Sequence, residues 1–302
     1  MDADVRPQIL YVQKIVNRDV LRLARAVKVA GGRVFYDIDD AGEAGLAGMI
    51  ADDATFRELM QLVSVVTVDT EVRRQVMQRD PRLVGVPEIW VIPDPIDYID
   101  GDIPTVTRPP VILGRKLHGC WFGNAPNMAP AAPYLQVLTN SPDVADISVI
   151  TNASHVDSTK TQFPKLLVSA WSLETFPQTL SCMDFCVLIH DTSIEGLQKS
   201  NNKMLAALAY GVVPFVSRTP AYAETAGQMR IPEIVIDDVQ DILDLLRPEK
   251  FLEILQKMSE DHFFHELQKF SPSASALLFS EKLTQHLVNR QIAAQAPSYV
   301  FY

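Results

Sequence analysis

Residues 200–224 read SNNKMLAALAYGVVPFVSRTPAYAE, a helix pattern with an apolar body over residues 202–210 that runs straight into a strand pattern over residues 212–217. The helix opens on three small polar residues and a lysine. A helix N-terminus carries about half a positive charge and several unpaired N–H groups, so a cation there is disfavoured by roughly 0.3–1 kcal/mol. Lys203 therefore stands at the wrong end of its helix. Two readings follow. Either the lysine reaches into water while Ser200, Asn201 and Asn202 compete to cap the helix, or an anion such as a phosphate is held jointly by the N–H groups, the small side chains and the ammonium.

Outward from this unit the same alternation recurs, which predicts α/β architecture with parallel sheets wrapped by helices. Upstream, strands are expected at residues 9–13, 33–37, 63–68 and 88–92, with helices at 18–30, 54–61 and 70–78. A proline-rich stretch, IPDPIDYIDGDIPTVTRPP, spans residues 92–110 and reads as a domain boundary. Beyond it, strands are expected at 116–122, 147–151, 166–170, 185–190, 212–217 and 233–236, and helices at 131–139, 173–181, 202–210 and 222–228. The end is helical, at 239–246, 248–259 and 274–291. This predicts two Rossmann-like domains, residues 1–106 and 107–302, with a long helical C-terminal tail.

A chain of 302 residues is long enough for two cores, and 47% hydrophobic with 21% charged residues is a globular composition. The net charge of −10 argues against nucleic acid or anionic lipid as a partner and suits a small anion in one local basic pocket. No run approaches a membrane span and the start has no basic-then-apolar leader, so a cytoplasmic protein is expected. The three cysteines and six histidines show no metal-ligand spacing, and no metal site is expected.

In open parallel sheets ligands bind beyond the carboxyl ends of strands. The second strand ends in VFYDIDDAGEAG, where Asp37, Asp39 and Asp40 are a capping turn, a magnesium site or a general base; spacing does not separate these uses. The fifth strand ends in CWFGNAPN, offering Gly123 for close backbone approach and Asn124 and Asn127 as amide donors. The seventh ends in SAWSLETF, with Trp171 either core or a base-stacking platform and Ser172 beside it. The eighth leads through HDTSIEGLQKSNNK, which gathers Lys199, Ser200, Asn201, Asn202 and Lys203 at one strand end.

On these residues the chain resembles the GT-B fold glycosyltransferases, especially family four and its relatives. KSNNKMLAALAYGVVPFV resembles their segment for binding a nucleotide diphosphate sugar, RVFYDIDD and VVTVDTEVRRQV resemble N-domain units, and IWVIPDPID resembles the linker entry. The resemblance implies transfer of a sugar from a nucleotide diphosphate sugar to a glycan or lipid-linked acceptor, without a metal or other cofactor. Lys199 to Lys203 would hold the diphosphate, Gly123 and Asn124 would line the phosphate, and Trp171 and Ser172 would meet the base. Asp37, Asp39 and Asp40 would lie on the acceptor side. The chain departs from the pattern at the paired glutamates that flank this helix in the family, where it has Gln198 and Ala206, and at the linker, where Asp94 and Pro95 replace asparagine and glycine. These departures favour a rival reading, an inert GT-B-like binding or scaffold protein. Only about four strands precede the linker, so a shortened N-terminal sheet with an uncovered edge is expected. The cover is either the C-terminal helices or a second copy of the chain, in a homodimer through the N-terminal domain.

Overall fold

The computed structural model describes residues 9–38, 53–96, 99, 103 and 115–295. Asp39, Asp40 and the expected boundary near residue 106 lie outside them. The first unit is a parallel sheet of β1 (Ile9–Gln13), β2 (Arg33–Ile38), β3 (Val65–Val68) and β4 (Glu88–Val91), in the order β1-β2-β3-β4. Its helices are α1 (Arg18–Val29), α2 (Asp53–Leu62) and α3 (Glu71–Gln78). Strand alternation divides the side chains between two faces. Val12, Val34, Tyr36, Ile38, Val66 and Val68 form one core with Leu21, Ala24 and Val27 of α1 and Phe56, Leu59 and Met60 of α2. Phe35, Val65 and Trp90 point to the opposite face.

The second unit has six parallel strands: β5 (Leu117–Phe122), β6 (Val144–Thr151), β7 (Leu167–Ala170), β8 (Phe185–Leu188), β9 (Val213–Ser217) and β10 (Val235–Ile236). Between them lie α4 (Ala132–Leu138), α5 (Val156–Gln162), α6 (Phe176–Ser181), α7 (Ile194–Leu197), α8 (Asn202–Ala209) and α9 (Pro220–Gln228). The order β10-β9-β8-β5-β6-β7 puts β5 and β8, which begin the two halves of the unit, side by side in the middle. The chain leaves this pair in opposite directions, so their carboxyl ends flank a topological switch point, where open α/β sheets bind ligands. Helix α8 is buried from Met204 to Ala209 and is stopped by Gly211, whose φ of +70° suits a residue without Cβ.

The expected strands are present, with ends displaced by a few residues. Residues 233–234 belong to a 3-10 turn and β8 stops before Ile189 and His190, which leaves His190 in the loop. Helix α6 starts at Phe176, not residue 173. Helices α5, α7 and α12 (Asp261–Gln268) were not expected. Helix α5 buries only Thr159 and so shows no apolar stripe, while α7 is one turn started by the Ser193 side chain, which accepts from Gly196 N.

After α10 (Val239–Leu245), α11 (Pro248–Met258) and α12, the chain returns to the first unit through α13 (Pro272–Gln295). The outgoing linker docks beside this return. Ile96 and Ile103 are buried in the second core, Ile96 N donates to Phe270 O at 2.9 Å, and the Gln268 side chain bonds both N and O of Ile103. Helix α13 then covers the second face of the first sheet. Phe279 meets Tyr11, Phe35 and Trp90 edge-on at 5.8, 6.2 and 6.5 Å, and Glu88 accepts from Trp90 Nε1 while bonding His286 Nδ1. The tail therefore packs on the face of the sheet that Phe35 and Trp90 supply, and through Phe279 it also reaches Tyr11 of the edge strand β1.

Phe279→Ala should lower unfolding stability by about 2–3 kcal/mol, less than for a fully buried ring because Phe279 is half-buried. Urea unfolding followed by tryptophan fluorescence measures this, and a change below about 0.5 kcal/mol would show that α13 does not hold the first sheet. Among the described residues no helix is long and apolar enough to cross a membrane.

Candidate functional site

A cavity of about 300 Å³ opens at the switch point. Phe122 and Gly123 at the end of β5, Trp171 after β7, His190 after β8, Lys199 and Ser200 from the loop before α8, and Asn202, Lys203 and Ala206 of α8 line it, with Asn127 and Tyr222. The arrangement follows from how α8 begins. Its N-cap Asn201 does not cap with its side chain. The amide is turned away and donates to Thr225 Oγ1 of α9 at 2.7 Å, and no acidic residue stands in the first turn. The N-terminal end is thus left electropositive toward the cavity.

Lys203 does not extend into bulk water. It folds back onto the end of β5, with Nζ 5.6 Å from the centroid of the buried Trp121 ring, in cation–π range. It also lies so close to Gly123 that a Cβ there would stand 2.6 Å from Nζ, and Gly123 has a φ of +149°. Burial, with Lys199 nearby, pushes the Lys203 ammonium down to about 8. Lys199 is itself paired with Glu195 at 3.2 Å.

His190 closes the other wall. Its backbone N donates to Ser217 Oγ at 2.9 Å, and its ring stacks on Tyr222 with centroids 5.4 Å apart and Nε2 3.0 Å from the Tyr222 hydroxyl. Burial first, then Lys203 and Lys199, pushes His190 down to about 4, so the imidazole is neutral at pH 7. The Tyr222 phenol is pushed upward by complete burial and stays protonated. The cavity therefore has two ammonium groups, neutral donors and aromatic walls, and no carboxylate among its lining residues. This composition suits an anion attached to a flat or ring-shaped group.

Of the residues expected at this site, Gly123, Trp171, Lys199, Ser200, Asn202 and Lys203 line one cavity. Trp171 is 42% exposed and stands at the rim, which removes the alternative of a core tryptophan. Three do not line it. Asn201 is spent on Thr225. Asn124 is exposed at the head of a 3-10 turn, where Asn127 takes the place facing the cavity. Ser172 gives its carbonyl to Phe176 N at the start of α6. His190, Tyr222 and Phe122 were missed, although His190 could have been noticed as the polar residue that ends the apolar run FCVLI.

Asp37 lies at the carboxyl end of the first sheet. Its Oδ2 accepts from Gln13 Nε2 at 2.9 Å, its Oδ1 accepts from Thr67 Oγ1, and Thr67 also bonds the Tyr11 hydroxyl at 3.2 Å. This network joins β1, β2 and β3 and fixes the carboxylate; Asp37 does not line the cavity. Among the described residues no group of three metal-binding side chains occurs.

No family model matches the chain, and no curated protein matches its sequence. Solved structures match its fold. The α,α-trehalose 6-phosphate synthase from Burkholderia multivorans superposes with a TM-score of 0.61 at 11% identity, over 98% of this chain and 74% of that one. Sucrose-phosphate synthase from Thermosynechococcus elongatus gives 0.62 at 10% identity over 93% and 74%. HepE of Anabaena, solved with UDP, gives 0.61 at 12% identity over 92% and 79%. The likeness establishes the two-sheet GT-B fold for this chain.

Proposed function

We propose that the protein is a glycosyltransferase of the GT-B class that takes a sugar from a nucleotide diphosphate sugar. The observation that carries this reading is the enclosed ammonium of Lys203, set with Lys199 and the electropositive start of α8 at the switch point of a GT-B C-terminal sheet. In the reaction the bond between the anomeric carbon and the β-phosphate oxygen breaks, its electron pair leaves with the diphosphate, and an acceptor hydroxyl oxygen bonds the carbon. Its proton passes to a carboxylate of the Asp37, Asp39 and Asp40 group. Charge grows on the leaving diphosphate, so cations fixed beforehand lower the barrier without reorganising. Trp171, which stands at the rim, would meet the base, and a glycan or lipid-linked acceptor would enter from the first sheet.

A second reading, a binding protein without turnover, is favoured by one observation. Ala206 lines the cavity where the resemblance implies a ribose-binding glutamate, so that carboxylate is missing. The two readings separate in one experiment. UDP, GDP and ADP and their glucose conjugates are screened by thermal shift, and release of free diphosphate from the stabilising conjugate is then followed in the presence of a panel of glycan and lipid-linked acceptors. At a ligand concentration about 100 times Kd the stabilisation should reach about 2.7 kcal/mol. Binding with release supports the transferase and binding without release the inert protein, while stabilisation by none of the six would remove both.

A further inference from the structure

The first unit reaches the anion site through one buried side chain. Arg73, on the first turn of α3, is 1% exposed, and its Nη2 donates to the backbone carbonyl of Gln198 at 2.9 Å. That carbonyl belongs to the C-terminal cap of α7, and the next two residues, Lys199 and Ser200, line the cavity. Asp69, four residues before Arg73 and also buried, holds the guanidinium from behind at 2.7 Å from Nη1. The Gln198 side chain is 1% exposed and spends its Nε2 on Ile194 O, so the loop between α7 and α8 is tied at both its backbone and its side chain.

We infer that Arg73 is a positioning residue for the anion site: from the other domain it fixes the α7–α8 loop that presents Lys199 and Ser200, and so couples contact between the two domains to donor binding. A buried guanidinium aimed at a helix C-terminal carbonyl is favourable in charge and strongly directional. Surface complementarity alone needs no such group. Packing of α3 against α9 would bring the domains together, and the desolvated Asp69–Arg73 pair adds specificity behind the loop that carries the cations. Burial raises Asp69 to about 7 even against the pull of Arg73. Loss of Arg73 therefore lets Asp69 take up a proton instead of stranding a buried charge, and an Arg73→Met variant should fold.

The inference deepens the nucleotide reading of the site, and its first test does not depend on that reading. Amide hydrogen exchange is compared in the ligand-free wild type, Arg73→Met and Arg73→Lys. Arg73→Met should speed exchange over residues 199–203 by about tenfold or more with β9 unchanged, and Arg73→Lys, which keeps a donor, should recover part of the protection. The Kd for UDP should rise about tenfold in Arg73→Met and less in Arg73→Lys. Unchanged exchange over residues 199–203 would overturn the latch. Faster exchange with unchanged UDP affinity would overturn its role in positioning. A wild type that fails to bind UDP while the exchange effect is present would overturn UDP as a ligand and leave the latch standing.

Discussion

Lys203→Met should raise the stability of the ligand-free protein and at the same time weaken its stabilisation by a nucleoside diphosphate. The two effects have one cause. Enclosure against Trp121 and Gly123 depresses the Lys203 ammonium from 10.5 to about 8. Between pH 8 and 10.5 the unfolded chain holds this proton more tightly than the folded one, so stability rises with pH through that window, and below pH 8 the full penalty is present. The shift corresponds to an order of 3 kcal/mol, reduced by screening through the cavity mouth and partly offset by the cation–π contact. Methionine keeps the volume and removes the charge, so a net gain of about 1–2 kcal/mol is expected at pH 7, shrinking toward zero near pH 10.5. A bound diphosphate makes charge-assisted bonds to the lysine, and their loss should weaken affinity by about 1.5–3 kcal/mol, or ten- to 150-fold. Urea unfolding at pH 7 and 10 with calorimetric titration of the stabilising diphosphate measures both. A less stable variant, or one that binds like wild type, would remove Lys203 from the site.

The same geometry shows why this part of the site was legible in the sequence. A lysine in the first turn of a helix violates a local rule, and local rules are read from neighbours in the chain. The strands were legible for a similar reason, since buried parallel strands such as FCVL and VPFVS are short apolar runs bounded by polar loops. What failed depended on distant partners. Asn201 has the chemistry of a cap, and only Thr225, 24 residues away, decides that its amide is used elsewhere. His190 and Tyr222 are 32 residues apart and meet because β8 and β9 are neighbours in the sheet. Arg73 and Gln198 are separated by 125 residues and a domain linker, and nothing in TEVRRQV distinguishes the buried arginine from its half-buried neighbour Arg74 except the side of α3 that meets the second domain. The partners of Asp37, by contrast, follow from register: β1, β2 and β3 place Gln13, Asp37 and Thr67 in one row across the sheet.

Gly123→Ala should uncouple the site from the fold by the smallest change available. The substitution adds one methyl group, and two independent constraints oppose it. The backbone at Gly123 has a φ of +149°, a conformation that residues with a Cβ rarely adopt, which costs on the order of 1–3 kcal/mol. The added carbon would also stand 2.6 Å from Lys203 Nζ and 3.3 Å from both Lys203 Cε and the Trp121 ring. The lysine end is flexible and the indole is locked in the core, so the lysine is what moves. Its ammonium would leave the ring face and the position from which it meets a diphosphate. Affinity for the stabilising diphosphate should therefore fall at least as far as in Lys203→Met, by about 100-fold, while stability falls instead of rising. This opposition of sign separates the two mechanisms. Loss of a charge stabilises the empty protein, and displacement of a charge by a strained backbone does not. The double variant Gly123→Ala with Lys203→Met provides the decisive comparison, because methionine can yield to the new methyl group without losing a charge interaction. If Lys203 is the group through which Gly123 acts on binding, the second substitution should add almost nothing to the affinity loss of the first. A double variant whose two losses add in full would show that Gly123 serves the ligand directly, through close approach of its own backbone to the phosphate.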